Sequence, residues 1–532
     1  MQPNILSPLI ESRIEEEMAR PDVLLRNCFV EPGPEGGGVP YTVHPMPSVE
    51  QVASVGGVAA AGVFQEDGIL GGKYYIFADQ GLYEQTTIGA APVQVDNSLL
   101  TITNLGYIQS AGIRNGFICY TSGYPGALFS WDGATATTVG LNSIDVTSYG
   151  RRFFSIDLGT DQIQYSDLGT ANFPAINFFT AEQRSDENRA IHANTEVLYI
   201  AGTKSTEIWR TSPDNDLPVS YTGVSLPFGA SGPGGMSSSG ENMVVVGGAE
   251  NGFGVWSVRG ANYQKISPNW LDRRLERIAA RGKSREIHTQ CYTLEGHAIA
   301  EIYLPAQTAP TAASAGVPQG GFEGLILTFD FTTGAWAEVY QPDNVKVQTW
   351  LPDRRFHFTA PLGGGGTTFI GQGFVHQNDT KIGVVTRHVS DNVPGRYLSG
   401  LMDYRISYWE PAIRTNTQVE ATLPVQFVQP AQAADPLVDA RGTLPDAATI
   451  AAAIAGNASY FMQYWVSDNL GMDYRGPRDV TVNYSARTGH YVKTRRGGEV
   501  RQPGRIHQFR FALPYNFSIG PLMVNTEPLI GT

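Results

Sequence analysis

Glycine-rich turns in this sequence approach two catalytic motifs without completing either. In GILGGKYY, residues 68–75, the Gly72-Lys73 pair is followed by Tyr74 instead of the Ser or Thr of a phosphate-binding loop. Asp67 also stands where that loop requires its first glycine. The run GASG, residues 229–232, has its glycine one residue too early for the turn that holds a catalytic serine. The sequence therefore predicts no nucleotide cofactor and no serine nucleophile.

Histidines and cysteines are scattered too widely for a short metal motif. The closest two of the nine histidines are His288 and His297. Cys28, Cys119 and Cys291 are isolated, and an odd number of scattered cysteines is typical of reduced, buried side chains. We therefore expect no metal, no cofactor and no disulfide framework.

Carboxylates leave one enzyme class open, the glycosidases. The segment SDNLGMDY, residues 467–474, resembles the Asp-box hairpin of sialidase-like enzymes. Such a box is a structural turn, in which Asx side chains bond backbone amides and Gly471 supplies a positive φ. Glycosidases also need two carboxylates across the scissile bond, and a single sequence does not locate such a pair. No catalytic residue is predicted, and a carbohydrate-active enzyme is the alternative interpretation.

A first group of basic residues follows Ser267-Pro268, predicted as the N-cap and the first position of a helix. Its apolar residues recur at helical spacing: Trp270, Leu271, Leu275 and Ile278. The other positions carry Arg273, Arg274, Arg277 and Arg281. The pattern predicts a helix of three turns that either caps a blade edge or presents its arginines to an acidic partner.

A second basic group lies near the C-terminus. It consists of Lys493, Arg495, Arg496, Arg501, Arg505 and Arg510. The alternatives are a solvated strand face, an interface with an acidic neighbouring subunit, and proximity to DNA. Both groups are candidate interface residues.

The elements that must position these residues are β-hairpins. In NMVVVGGAENGFGVWSV, residues 242–258, two apolar runs flank the turn Gly247 to Gly252. The same pattern recurs at residues 73–84, 116–131, 152–168 and 195–210, and more loosely at 291–304 and 325–340. The first five hairpins follow one another at intervals of 36 to 47 residues. This period predicts an all-β fold, a β-propeller of about six blades, with a few short helices.

Composition agrees with many short strands and tight turns. Of 532 residues, 11% are aromatic, 16% are charged, 60 are glycine and 33 are proline. The formal net charge of -13 opposes strong nucleic-acid binding, which depends on Lys and Arg neutralising phosphates.

Three regions are predicted. Residues 1–58 form a lead-in segment, whose helical phrase around residues 8–18 packs on its own chain or docks on another subunit. Residues 59–400 form the propeller, with flexible loops at 306–321 and 363–366. Residues 401–532 form a C-terminal β unit that either completes the ring or makes a tail or interface domain, with a second helix at 446–455. The sequence shows no signal peptide and no run of 18 apolar residues, so we expect assembly in a cytoplasm without membrane insertion.

The order of these features resembles a family of virion proteins, the tail hubs or nozzles of short-tailed bacteriophages, also called packaged-DNA stabilisation proteins. The resemblance rests on ordered phrases: LLRNCFVEPGPEG at 24–36, GGKYYIFADQGLYE at 71–84, GVWSVRGANYQKISPNWLDRRLERI at 254–278, WVSDNLGMDYRG at 465–476 and RRGGEVRQPGRIHQFRF at 495–511. Residues 417–459 depart from the family pattern.

The resemblance implies a structural, non-enzymatic protein of the virion tail, with no active-site residues to carry over. Members of the family form a homo-hexamer below the portal adaptor, the head-to-tail connector ring. The hexamer carries tail fibres or spikes, meets a tail needle, and contacts DNA only as it passes through the channel. A monomeric propeller binding module is the remaining alternative.

Overall fold

The computed structural model describes most residues between 60 and 305, residues 325–339, and individual strands elsewhere. The gaps in the first range are 67, 79–80, 88–89, 98–107, 122–125, 182, 185, 214–216 and 295. The chain divides into two compact units. One comprises Met1–Ser48, Thr328–Tyr340 and Arg387–Thr532, and the other comprises Val49–Leu327 and Gln341–Thr386.

Five strands precede the repeats: β1 Asn4–Ile5, β2 Val23–Arg26, β3 Cys28–Pro32, β4 Tyr41–Pro45 and β5 Ser48–Ser54. Blade 1 is an antiparallel sheet of four consecutive strands: β6 Ala60–Phe64, β7 Tyr74–Ala78, β8 Gly81–Gln85 and β9 Val93–Asp96. A 3-10 turn at Leu70–Gly72 connects β6 to β7. The blade-1 hairpin β7–β8 is the one predicted at residues 73–84.

Blades 2 and 3 form one seven-stranded sheet. Its strands are β10 Ser110–Ile113, β11 Phe117–Thr121, β12 Gly126–Trp131, β13 Ala136–Tyr149, β14 Arg152–Asp157, β15 Gln162–Tyr165 and β16 Phe178–Thr180. Strand β13 is 14 residues long; its first part pairs with β12 and its second part with β14. It is therefore the last strand of blade 2 and the first strand of blade 3.

Blades 4 and 5 are again four-stranded and antiparallel. Blade 4 contains β17 Ala190–Ala193, β18 Leu198–Ala201, β19 Thr206–Thr211 and β20 Val219–Leu226. A 3-10 turn at Pro233–Gly235 leads to blade 5, which contains β21 Met236–Ser239, β22 Asn242–Ala249, β23 Gly252–Arg259 and β24 Asn262–Lys265. Helix α1, Asn269–Ala280, and a 3-10 turn at Ser284–Glu286 then precede the hairpin of β25 His288–Leu294 and β26 His297–Leu304.

The first strands of successive blades lie side by side. Strand β13 lies beside β10 and β17, and β21 lies beside β17 and β25. The strands that follow β26 along the chain are β27 Leu325–Asp330, β28 Trp336–Val339, β29 Val347–Trp350, β30 His357–Thr359 and β31 Lys381–Thr386. Strand β29 lies beside both β25 and β6, so the series returns to blade 1. Sheets repeated about a common centre in this way are the arrangement of a β-propeller, as predicted.

Neighbouring blades from blade 1 to blade 5 share apolar cores in pairs. Tyr120 of blade 2 lies 4.7 Å from Phe77 of blade 1 between ring centroids. Trp256 of blade 5 is 7% exposed and stacks on Phe228 at 4.5 Å with an interplanar angle of 4°. The cores alternate around the unit with the sheets, and burial of large aromatic side chains is what holds adjacent sheets together.

The other unit is built on one long strand. Its remaining strands are β32 Ser407–Phe427, β33 Met462–Ser467, β34 Arg475–Asp479, β35 Val482–Ser485, β36 Gly489–Lys493, β37 Gly504–Leu513, β38 Phe517–Ile519 and β39 Met523–Pro528. The 21-residue β32 pairs with β2, β36, β37, β38 and β39. The predicted helices at 8–18 and 446–455 and the predicted loops at 306–321 and 363–366 lie outside the described residues.

Candidate functional site

Helix α1 is anchored to blade 5 by a polar cluster at its start. The hydroxyl of Ser267 accepts the N–H of Val255 on β23 at 3.0 Å and donates to Asp272 Oδ1 at 2.5 Å. Lys265 Nζ donates to the other oxygen of Asp272 at 2.6 Å. Ser267 was predicted as the N-cap, but the cap residue is Pro268. Because its hydroxyl is used by Val255 and Asp272, Ser267 attaches the helix to the sheet instead of capping it.

The buried face of α1 is wider than its apolar residues indicate. Trp270, Leu271, Leu275 and Ile278 are buried as predicted. Arg274 was predicted among the other positions, yet it is 2% exposed and therefore lies on the buried side of the helix. The reason is its spacing of four residues from both Trp270 and Ile278, which puts it on their face of the helix.

Three arginines lie on the exposed side of α1 and at its C-terminal cap. Arg273, Arg277 and Arg281 are exposed and follow one another at intervals of four residues, so they share one side over about 12 Å. Arg277 Nε donates to the carbonyl oxygen of Arg273 at 3.3 Å. We call these three residues the arginine stripe. Guanidinium groups in such a row can bind carboxylates or phosphates through paired hydrogen bonds.

The second predicted basic group is only partly described. Lys493 ends β36 and Arg505 lies in β37, and both strands pair with β32, at Thr422 and Arg414 to Thr417 respectively. Arg495, Arg496 and Arg501 lie outside the described residues. The interface role of this group stays a prediction.

Side-chain hydrogen bonds connect the first strands of neighbouring blades, a feature that hydrophobic periodicity did not predict. Asp145 Oδ2 on β13 accepts the N–H of Ile191 on β17 at 2.9 Å. His192 Nε2 on β17 is 2.7 Å from Ser238 Oγ on β21. Ser237 Oγ on β21 accepts the N–H of Cys291 on β25 at 2.8 Å. These bonds run from blade 3 through blades 4 and 5 to the hairpin that follows α1.

Two of these linking groups have displaced pKa values. Burial raises the pKa of the Asp145 carboxyl well above its usual range, although the N–H groups of Ile191 and Val146 act in the opposite direction. Burial lowers the pKa of His192 to about 4. At neutral pH the imidazole is therefore uncharged, and its bond with Ser238 joins two neutral groups.

The three cysteines are buried, as predicted. Burial raises the pKa of Cys291 to about 12, and that of Cys119 well above its usual range. Thiols that remain protonated are poor nucleophiles. These cysteines therefore contribute packing and, at Cys291, a bond to the neighbouring strand.

Asx turns recur at the hairpins and were missed in the sequence. Asp132 Oδ1 accepts the N–H groups of Ala134 and Thr135, at 2.8 and 2.7 Å. Asn194 Oδ1 accepts two backbone N–H groups in the same manner, as does Asp330 for one, at the turns that precede β18 and β28. The signal that could have found them is an Asp or Asn at the first position of each turn.

In the described part of the chain, no group of three or more His, Cys, Asp or Glu residues could hold a metal ion. Nor do the described helices include one that is long and apolar enough to cross a membrane.

Comparison with known proteins gives one family. A family model described as Phage_stabilise, Bacteriophage P22 Gp10, beta-propeller, matches residues 13–334, which is more than half of the chain. No curated protein sequence matches this chain.

Solved structures with similar backbones are distant. The Cps50 (Swd1) β-propeller domain of Myceliophteria thermophila is 10% identical, with 64% of this chain and 100% of that chain covered and a TM-score of 0.37. YCF48 from Cyanidioschyzon merolae is 9% identical, with 64% and 98% covered and a TM-score of 0.35. The computationally designed Ika8 protein is 9% identical, with 63% and 99% covered and a TM-score of 0.36. At these scores the likenesses carry no argument about function.

Proposed function

The chain belongs to the family of bacteriophage P22 Gp10 β-propeller proteins, the packaged-DNA stabilisation proteins, and from this membership we propose that it forms the hub or nozzle of a phage tail. Six copies assemble below the portal adaptor ring, extend its channel, and retain the packaged DNA until it leaves through that channel. The outside of the assembly carries tail fibres or spikes, and its end meets a tail needle. The family match carries this proposal.

The contacts between blades suit a structural role. Blades 1 to 5 share apolar cores in neighbouring pairs, and hydrogen bonds from Asp145, His192 and Ser237 connect successive first strands. Buried, hydrogen-bonded polar groups and shared cores make neighbouring sheets depend on one another. Such a unit resists local opening, which suits a channel that retains packaged DNA.

The arginine stripe gives the proposed assembly a specific contact. The chain carries a formal charge of -13, so six copies carry 6 × (-13) = -78, and neighbouring copies repel one another at long range. Arg273, Arg277 and Arg281 are exposed positive charges on an otherwise acidic chain. We propose that they face acidic residues of the adjacent subunit, where opposite charges lower the repulsion and fix the orientation of the two copies.

We propose that the protein is not an enzyme. Its membership of a family of phage structural proteins supports this proposal. The alternatives predict different results, since a propeller binding module would be a monomer and a glycosidase would hydrolyse polysaccharide.

The test is electron microscopy of the purified full-length protein, alone and with its adaptor ring, in negative stain. We expect a six-fold ring with a central channel that stacks on the adaptor. A particle that stays monomeric under both conditions and hydrolyses polysaccharide would contradict the proposal.

A further inference from the structure

The loop between β15 and β16, together with the first residue of β16, exposes three large apolar side chains. Leu168 is 54% exposed, Ile176 is 84% exposed and Phe178 is 42% exposed. Strands β15 and β16 are the last two of the blade-3 sheet, at the opposite end from β13, which adjoins the neighbouring blades. We call Leu168, Ile176 and Phe178 the rim patch. Exposed apolar side chains grouped on a soluble surface commonly mark a contact with another molecule.

The rim patch is held in one conformation by its own loop. Asp167 is at the centre: its Oδ2 accepts Asn172 Nδ2 at 2.6 Å and its Oδ1 accepts Asn177 Nδ2 at 3.1 Å. The backbone N–H of Asp167 also donates to the carbonyl oxygen of Asn172 at 2.8 Å. The loop therefore closes on itself through three hydrogen bonds across its own width.

Residues outside the loop also hold it in place. Asn115 Nδ2 donates to the carbonyl oxygen of Gly169 at 3.1 Å, and the N–H of Gly169 donates to the carbonyl oxygen of Arg151 at 2.9 Å. Ala171 and Phe173 pack against the core that blades 2 and 3 share. Because the loop is already ordered, a partner that binds the rim patch does not have to order it, which favours association.

The charges around the rim patch do not oppose contact with a second copy of this acidic chain. The rim patch has no ionisable side chain, the carboxylate of Asp167 is bonded to two amides, and the exposed Arg151 adjoins the loop at Gly169. A chain of net charge -13 repels its own copies, and the repulsion is weakest where the contact is uncharged or faces a positive group.

We propose that the rim patch is buried against a second copy of this chain in the assembled ring. This inference rests on the proposed function, because it requires the ring. Specific interfaces bury about 800 Å² per partner, more than three side chains supply, so the rim patch is the apolar centre of a wider contact. In a closed ring the contact is heterologous, and the rim patch meets a different surface of the next copy.

The test uses thiol labelling. Cys28, Cys119 and Cys291 are buried, so they react slowly with a maleimide, and Ile176→Cys adds one exposed thiol. Labelling rates are measured on free subunits and on assembled rings separated by size-exclusion chromatography. We expect the I176C thiol to react at least tenfold more slowly in rings than in free subunits. The matched control is Val93→Cys, at a residue 63% exposed on β9 of blade 1, whose rate should be the same in both.

A second variant tests the energetic role. Ile176→Asp should raise the protein concentration needed for ring assembly at least tenfold, while Val93→Asp leaves it unchanged. Thermal unfolding of both variants should match that of the wild type, since the replaced side chains are exposed.

The outcomes separate the two proposals. Wild-type rings in which the I176C thiol labels as fast as in free subunits would overturn the contact and leave the proposed function intact. Normal ring assembly by Ile176→Asp with loss of fibre or spike attachment would also overturn it, and would assign the rim patch to another protein. A wild-type chain that never forms rings would overturn the proposed function itself, and the rim-patch contact with it.

Discussion

The imidazole of His192 and the hydroxyl of Ser238 lie 2.7 Å apart and join the first strands of blades 4 and 5. Their hydrogen bond belongs to a series of polar contacts that follows the first strands of four successive sheets. Apolar cores between the blades supply most of the burial, while these contacts set how each first strand meets the next.

Acid should weaken the fold through His192. Its pKa of about 4 in the folded protein lies below the ordinary value of 6.5, so the folded state favours the neutral ring. The corresponding stability is complete above pH 6.5 and is lost as pH falls from 6.5 towards 4. For a partly buried ring we expect a loss of roughly 2 kcal/mol, measured by urea unfolding across this range.

The control for this pH dependence is His192→Gln, which retains a polar partner for Ser238 but does not titrate. Its loss of stability between pH 6.5 and 4 should be smaller than that of the wild type. Some loss will remain, because burial also lowers the pKa of His288. An unchanged pH profile in the variant would show that His192 does not carry the effect.

Replacing Asp145 should loosen blade 3 from blade 4. Asp145→Ala leaves the N–H groups of Ile191 and Val146 without their acceptors, at a cost of about 2 to 4 kcal/mol in the free energy of unfolding. Asp145→Asn keeps one oxygen acceptor and should cost less. Equal stability of Asp145→Ala and the wild type in urea would contradict this role.

The pH dependence of Asp145 has the opposite sign to that of His192. Its folded pKa is raised above the ordinary 3.8, so the stability it contributes is complete below that pH and is lost as pH rises through the folded pKa. Asp145→Asn removes this dependence. We expect the stability difference between Asp145→Asn and the wild type to shift in favour of the variant as pH rises.

Trp256→Ala should cost about 3 to 5 kcal/mol, because it empties the core shared by blades 4 and 5 and removes the stacked partner of Phe228. Tyr263 also contacts Phe228, at 5.3 Å, but is 50% exposed. Tyr263→Ala is therefore the matched control, and it should cost less than half as much. Both free energies of unfolding are measured by urea unfolding. A melting temperature that Trp256→Ala leaves unchanged would show that Trp256 does not stabilise the core shared by blades 4 and 5.

The arginine stripe predicts salt-sensitive assembly. Arg277→Glu reverses one exposed charge and should raise the concentration for ring assembly about tenfold at low salt, with a smaller effect in 0.5 M salt. Arg210→Glu is the control, because Arg210 is also exposed but lies on β19, away from α1. Equal effects of the two variants in analytical ultracentrifugation would show a general charge effect, without a specific contact.

Periodicity in the sequence was sufficient for the blades. The spacing of hairpins such as β22–β23 predicted the propeller. The positions of individual polar residues were harder to predict, because the helical position of a residue and its contacts also determine whether its side chain is exposed. Arg274 is buried because it lies on the same face of the helix as Trp270 and Ile278, although it is charged. Ser267 does not cap the helix, because its hydroxyl is hydrogen-bonded to Val255 and Asp272.

Contacts between blades could not be predicted from the sequence at all. Asp145 and Ile191 are 46 residues apart, as are His192 and Ser238, and no local pattern links residues at such a distance. The rim patch was missed for a related reason. Leu168 and Ile176 are ordinary apolar residues in a turn-rich segment, and only the fold shows that they lie outside the core.

Because blades 2 and 3 share strand β13, they should unfold together under force. A force that separates the first part of β13 from β12 also acts on the part of β13 that pairs with β14, so neither blade can separate alone. When the chain is stretched, blades 2 and 3 should unfold in one event, and that event should release about twice the contour length that the unfolding of blade 4 releases. If the chain forms the tail hub proposed above, the shared strand would keep blades 2 and 3 from being lost one by one under load.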